Sequence, residues 1–137
     1  MNIWHDIAPA RVKPEDFWAV IEIEKGSKNK YEMDKDTGML RLDRILYTST
    51  HYPANYGFIP RTWADDGDPL DVLVLCSESI RPMSLVRCFP IGVITMLDND
   101  SFDLLDSTSG MHFRCCAGTQ DYLAPELQGR KLRSPSA

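Results

Sequence analysis

The sequence predicts a mainly β fold (α+β in class), a small barrel or sandwich, and three observations carry that prediction. Short stretches rich in β-branched and aromatic residues recur along the chain, punctuated by Gly/Pro turns. No stretch before residue 120 keeps helical periodicity for three turns. No internal repeat is present.

The elements follow in order. Ala19-Val20-Ile21-Glu22-Ile23 is β-rich and ends in alternation, so it reads as a strand. Residues 30–34 and 39–43 flank "KDTG", a turn with Gly38 at its close, which predicts a hairpin. Residues 51–60, "HYPANYGFIP", carry two prolines and a glycine and read as an ordered loop. Residues 71–75 form a short apolar strand. Residues 85–96 form a longer one, with a bulge or bend expected at Pro90 and Gly92. After Asp103 no clean period of 2 or 3.6 survives. A weak helix is expected from Asp121 as N-cap toward Gln128, with Gly129 ending it. "GRKLRSPSA" reads as a mobile tail.

The 137 residues suffice for one domain with its own core. At 43% hydrophobic and 26% charged residues the chain reads as soluble and globular. No apolar run reaches the roughly 20 residues of a membrane span. The first residues lack the apolar run of a secretory signal, which points to the cytoplasm. Cys76, Cys88, Cys115 and Cys116 form no C-x-x-C pair and read as plain thiols. The net charge of -5 argues against nucleic acid as the main partner. Charge is uneven, net -6 over residues 1–103 and net +1 over residues 104–137.

"DDGDPLD", residues 65–71, gathers four carboxylates directly ahead of the apolar "VLVL". Like charges so close repel. Gly67 permits a tight turn, Pro69 keeps Asp68 extended, and the following strand anchors Asp71. Asp66, Asp68 and Asp71 can therefore converge on one point, and a hard divalent cation there relieves the repulsion. The alternative is a solvated acidic turn. An EF-hand is excluded: counted from Asp66, Asp71 and Ser77 stand where Gly and Glu are required. A second acidic group, Asp98, Asp100 and Asp103, follows the long strand and is either a polar turn or the completion of a polynuclear site.

Lys30, Glu32, Arg44, Tyr52 and Tyr56 lie between Glu22 and the acidic motif. Each alone reads as a surface or packing residue. Together with metal-binding carboxylates they point to phosphate, since Arg forks onto phosphate oxygens, Lys adds a point charge and Tyr donates a hydrogen bond. No P-loop or G-x-G-x-x-G is present. His5, His51 and His112 lack ligand spacing, and Trp4, Trp18 and Trp63 read as packing residues.

"DGDPLD" with "VLVL" resembles the signature of the soluble family I inorganic pyrophosphatases (inorganic diphosphatases). So do "VIEIEKGSKNKYEMDKDTG", "LDR", "HYPANYGFIP" and "IGVITMLD", in order, across residues 14–103. The resemblance implies one pyrophosphatase-like domain over residues 1–137: an OB-like five-stranded β-barrel core in 1–103 with few peripheral helices, and a divergent C-terminal tail in 104–137. It implies Mg²⁺-dependent hydrolysis of pyrophosphate to two phosphates in the cytoplasm, with Mn²⁺ as a substitute metal. It implies pyrophosphate as small-molecule partner, no nucleic acid, no membrane, and assembly as a homo-oligomer. By motif position Asp66, Asp71, Asp98 and Asp103 match metal carboxylates. Glu22 and Glu32 match acidic residues of the active-site rim and join the candidate metal ligands. Asp68 matches the acid that accepts a proton from the attacking water. Lys30, Arg44 and Tyr56 match phosphate-binding groups, and Tyr52 a nearby tyrosine.

The pattern breaks after Asp103. The resemblance implies a lysine at position 105, where this chain has Leu105, and further on a Tyr-Lys pair, which this chain lacks, its Tyr122 being followed by Leu123. Each lost charge-assisted hydrogen bond costs about 1.5–3 kcal/mol, roughly 10- to 100-fold. The break points to a shifted reading frame or a truncated gene as the origin of residues 104–137. Two rivals to the enzyme follow: a catalytically impaired remnant binding metal and phosphate, and an OB-like nucleic-acid module, disfavoured by the acidic balance.

Overall fold

The computed structural model of the chain describes residues 6–47, 51–62, 69–97 and 111–123. After a 3-10 turn at Pro9–Arg11 come eight strands: β1 (Val12–Lys13), β2 (Asp16–Ile23), β3 (Asn29–Met33), β4 (Leu40–Ile45), β5 (Asn55–Phe58), β6 (Asp71–Leu75), β7 (Leu85–Leu97) and β8 (Met111–Thr119). The main sheet runs β1-β2-β5-β6-β8-β7, and β7 pairs back onto β2. Strands β2, β5, β6, β8 and β7 therefore close into a five-stranded barrel of the OB-like kind. β6 and β8 are parallel and the other pairings antiparallel. β3 and β4 form a separate hairpin.

Alternation along β2 builds two layers. Phe17, Ala19 and Ile21 point into the barrel and meet Ile59, Val72, Val74, Cys88 and Ala117. A five-stranded barrel is narrow, so alanine, valine and cysteine fill much of it. On the other face of β2, Val20 packs with Phe58 and with Met33 of the hairpin. Each large aliphatic so buried contributes about 1.5–3 kcal/mol. Exposed ion pairs offer about 0–1 kcal/mol each, so the interior is what holds the barrel.

Gly57 is required by the close approach of β5 to β2. A Cβ there would stand 1.8 Å from the carbonyl oxygen of Val20. The long strand β7 serves two neighbours: residues 85–88 pair with β2, and the rest pairs with β8. Its register shifts between Pro90 and Gly92, as their positions in the sequence predict. The four cysteines are free thiols. No helix among the described residues is long and apolar enough to cross a membrane.

Three readings are corrected. Residues 51–60 are not all loop, because Asn55–Phe58 forms β5, whose prolines stand outside it and whose glycine is the contact with β2. Residues 111–119, within the segment read as a divergent tail, form β8 and complete the barrel. The C-terminal helical turn starts at Gln120, which puts Asp121 inside its first turn instead of at the cap; Gln128 and Gly129 lie outside the described residues.

Candidate active site

Asp71 opens β6 opposite Phe58 of β5. The ends of the preceding acidic segment are tied together by three hydrogen bonds. The Ile59 N–H donates to the Leu70 carbonyl at 2.9 Å, the Leu70 N–H to Thr62 Oγ1 at 2.8 Å, and the Thr62 hydroxyl to the Ile59 carbonyl at 2.6 Å. Asp66 and Asp68 lie outside the described residues, as do Asp98 and Asp103. Their attachment points are described. The start of β6, the end of β7 at Leu97 and the start of β8 at Met111 share one end of the barrel, as the parallel β6–β8 and antiparallel β7–β8 registers require. Both acidic segments therefore join the barrel at that end.

Around Asp71 three further side chains gather. Arg114 of β8 brings its Nε to 3.3 Å from Asp71 Oδ2, with the arginine side chain 14% exposed and the aspartate 25%. Its guanidinium lies 6.0 Å from the ring centroid of Tyr56. Tyr56 stands close enough to Asp71 for the carboxylate charge to act on its phenol. The Tyr52 ring tilts against that of Tyr56 with centroids 5.5 Å apart. Burial, above all, pushes the Tyr56 phenol up, and the Asp71 charge pushes the same way against the opposing pull of Arg114. Tyr56 is thus held as a neutral hydrogen-bond donor beside a carboxylate and a cation.

A buried amide fixes the strand that carries Tyr56. Asn55 is fully buried; its Oδ1 accepts from the N–H groups of Lys25 and Ile80, both at 2.9 Å, and its Nδ2 donates to the Glu78 carbonyl at 3.1 Å.

The remaining predicted residues gather at the hairpin. Lys30 and Arg44 are direct cross-strand partners. Lys30 Nζ lies 3.6 Å from Asp43 and 3.8 Å from Glu32, and Arg41 lies 3.6 Å from Glu32. Glu22 on β2 accepts the Met33 N–H at 3.0 Å and so ties the barrel to the hairpin. Of the predicted metal ligands, the structure describes Asp71, Glu22 and Glu32 and does not gather them: among the described residues no three His, Cys, Asp or Glu side chains form a metal-sized group. Sequence reasoning missed Arg114 and Asn55. The signal for Arg114 was a lone cation inside the otherwise apolar "FRCCAG".

Comparison with known proteins identifies the family. The family described as "Pyrophosphatase: Inorganic pyrophosphatase" matches residues 19–104. The inorganic pyrophosphatase of Aquifex pyrophilus is 53% identical over 100 residues, which cover 73% of this chain and 56% of that protein. Soluble inorganic pyrophosphatase 2 of Chlamydomonas reinhardtii is 56% identical over 100 residues, with 73% and 52% covered. The crystal structure of the inorganic pyrophosphatase from Thermus thermophilus superposes with a TM-score of 0.76 at 35% identity, over 90% of this chain and 66% of that one. The matched part of this chain spans about half the length of those curated relatives.

Proposed function

This chain belongs to the inorganic pyrophosphatase family, and from that premise we propose that it hydrolyses pyrophosphate to two phosphates with bound divalent cations, Mg²⁺ first and Mn²⁺ as a substitute. The observation that carries the reading is the Asp71–Tyr56–Arg114 cluster at the barrel end where both acidic segments attach. The donor set suits such an ion. It consists of carboxylate oxygens, hard ligands that favour Mg²⁺ or Mn²⁺, and Asp71 presents its carboxylate partly open to solvent. Asp66, Asp71, Asp98 and Asp103 would hold it, with Glu22 and Glu32 at the rim. When bound, divalent cations offset the charge of the substrate and acidify water.

The chain's own residues then divide the work. Asp68 takes a proton from the attacking water. The water oxygen bonds to one phosphorus, the bond from that phosphorus to the bridging oxygen breaks, and the second phosphate leaves with its electron pair. Lys30 and Arg44 stabilise the charge on the phosphate oxygens. Tyr56, kept neutral by its surroundings, donates a hydrogen bond, and Tyr52 braces its ring. Other relatives are named as soluble inorganic pyrophosphatases, which supports placing the activity in the cytoplasm.

Phosphate release from pyrophosphate with Mg²⁺ tests the reading. The wild-type chain turns over, and Asp68→Asn loses about 10²- to 10⁴-fold, the usual contribution of a general base. No release from the wild type, with calorimetry still detecting Mg²⁺ binding, would establish the non-catalytic remnant instead.

A further inference from the structure

We propose that the site also takes diphosphate monoesters carrying a short apolar group, isoprenyl or aryl, and that an apolar shelf on β7 and β8 holds that group. The proposal rests on the pyrophosphatase reading and adds to it a second substrate class.

Strand register sets the shelf beside the charged cluster. Directly paired residues share one face of a sheet, and so do residues two apart on a strand. Tyr56 pairs with Leu73, Leu73 with Cys116, and Cys116 with Gly92. In the neighbouring row Phe58 pairs with Asp71, and Arg114 with Ile94. Both rows lie on the outer face of the barrel, opposite to the interior residues Val72, Val74 and Ala117. Beyond the Asp71–Arg114 ion pair, the next strand across, about 4.8 Å on, therefore presents Ile94 and Gly92. Lys30 and Arg44 lie on the other side, on the hairpin that packs over β2 and β5.

Shape and polarity fit a small hydrocarbon. Ile94 is 40% exposed although an ion pair stands beside it. A Cβ on Gly92 would meet nothing within 4 Å, so the floor there is bare backbone with the small Cys116 next to it. At the far end Leu123 folds over Gly118, where an added Cβ would stand 2.9 Å from its Cγ, and closes the shelf. Arg114 and Gly118 are four positions apart on β8, about 13 Å of strand. That length suits one aromatic ring or a branched five-carbon chain and excludes a long lipid tail. Pyrophosphate is anionic at both ends and gains nothing from an apolar wall. An ester with its diphosphate over Asp71 and its hydrocarbon on the shelf removes apolar surface from water. Its terminal phosphate then faces Lys30 and Arg44. Water attacks the terminal phosphorus and gives its proton to Asp68. The bond from that phosphorus to the bridging oxygen breaks, and the organic monophosphate leaves with the electron pair.

Phosphate release from isopentenyl diphosphate and from phenyl diphosphate in Mg²⁺, with pyrophosphate alongside, tests the proposal. The wild-type chain should release phosphate from at least one ester and leave the organic monophosphate, identified by phosphorus NMR. Gly92→Val fills the shelf and should lower kcat/KM for that ester about 10-fold or more relative to pyrophosphate, the usual effect of misfitting one or two methylenes. Ile94→Ser removes the apolar wall and should raise KM for the ester with little change for pyrophosphate. It decides the matter if urea unfolding shows Gly92→Val unfolded. Release from pyrophosphate but from neither ester overturns the proposal and leaves the pyrophosphatase reading standing. Folded variants that treat ester and pyrophosphate alike also overturn it. Release from none of the three substrates overturns the pyrophosphatase reading itself, and this proposal with it.

Discussion

Thr62 and Leu70, eight residues apart, are joined by a hydrogen bond from the Leu70 N–H to the Thr62 hydroxyl at 2.8 Å. The same hydroxyl donates to Ile59 at 2.6 Å. One side chain thus closes the base of the segment that carries Asp65, Asp66 and Asp68. Thr62→Val keeps the shape and removes both bonds, leaving a partly buried N–H without its acceptor. The cost is about 1–3 kcal/mol, read as a lower urea midpoint at unchanged slope. Mg²⁺ affinity falls in the same variant, because a loosened base makes convergence of the carboxylates entropically dearer. Thr62→Ser restores most of both. Unchanged Mg²⁺ affinity in Thr62→Val would show that the clamp is irrelevant to the ion.

The parts of the fold legible in sequence are those whose physics is local. Ala19–Ile23 and residues 71–75 are dense in β-branched residues, and the "KDTG" turn closes with Gly38 at a φ of 75°, so strands and hairpin declare themselves. β5 is hidden because its four residues are short and its decisive feature, Gly57 against the Val20 carbonyl, is a contact between distant segments. β8 is hidden for a different reason. Its inward positions, Cys115 and Ala117, are small because the barrel is narrow, so the usual hydrophobic alternation is muted. The site divides likewise. Asp71 and Tyr56 lie in motifs, whereas Arg114 reaches them through a parallel pairing that no spacing along the chain encodes.

Asn55 should tolerate no apolar replacement. It is fully buried, and its amide satisfies two N–H groups and one carbonyl from residues 25, 78 and 80. Asn55→Leu strands all three at about 1–3 kcal/mol each where burial persists. A loss of about 3 kcal/mol or more is therefore expected by chemical denaturation, with Lys25 and Ile80 amides losing hydrogen-exchange protection. Protection of both amides at the wild-type level would refute this account of Asn55.

Gly57→Ala isolates the contact between β5 and β2. The added methyl meets the Val20 carbonyl oxygen at 1.8 Å, and backbone on both sides must move. Overpacking typically costs about 1–3 kcal/mol, and a backbone clash this short belongs at or beyond the top of that range. Gly92→Ala is the control, since a Cβ there meets nothing within 4 Å. If both variants melt together, the close approach does not constrain the barrel.

The seam that closes the barrel carries a pH signature. Arg87 of β7 forks onto Asp16 of β2 across that seam. The hydrogen bond from Arg87 is the main reason that the Asp16 carboxyl sits below its ordinary value of 3.8. The folded state therefore binds its proton less readily than the unfolded chain. It follows that the stabilisation is complete above the ordinary carboxylate range and is lost as pH falls through the lowered folded value. Arg87→Gln removes it. The urea midpoints of wild type and variant should differ near neutral pH and converge in strong acid, and added salt should narrow the difference because the pair is exposed to solvent. Carbon-detected NMR titration of Asp16 reads the cause directly, with a midpoint below the ordinary value in the wild type that moves up in Arg87→Gln. A gap between the two proteins that instead widened toward acid would reverse the sign of this linkage and assign the seam's stability to its ladder and apolar contacts alone.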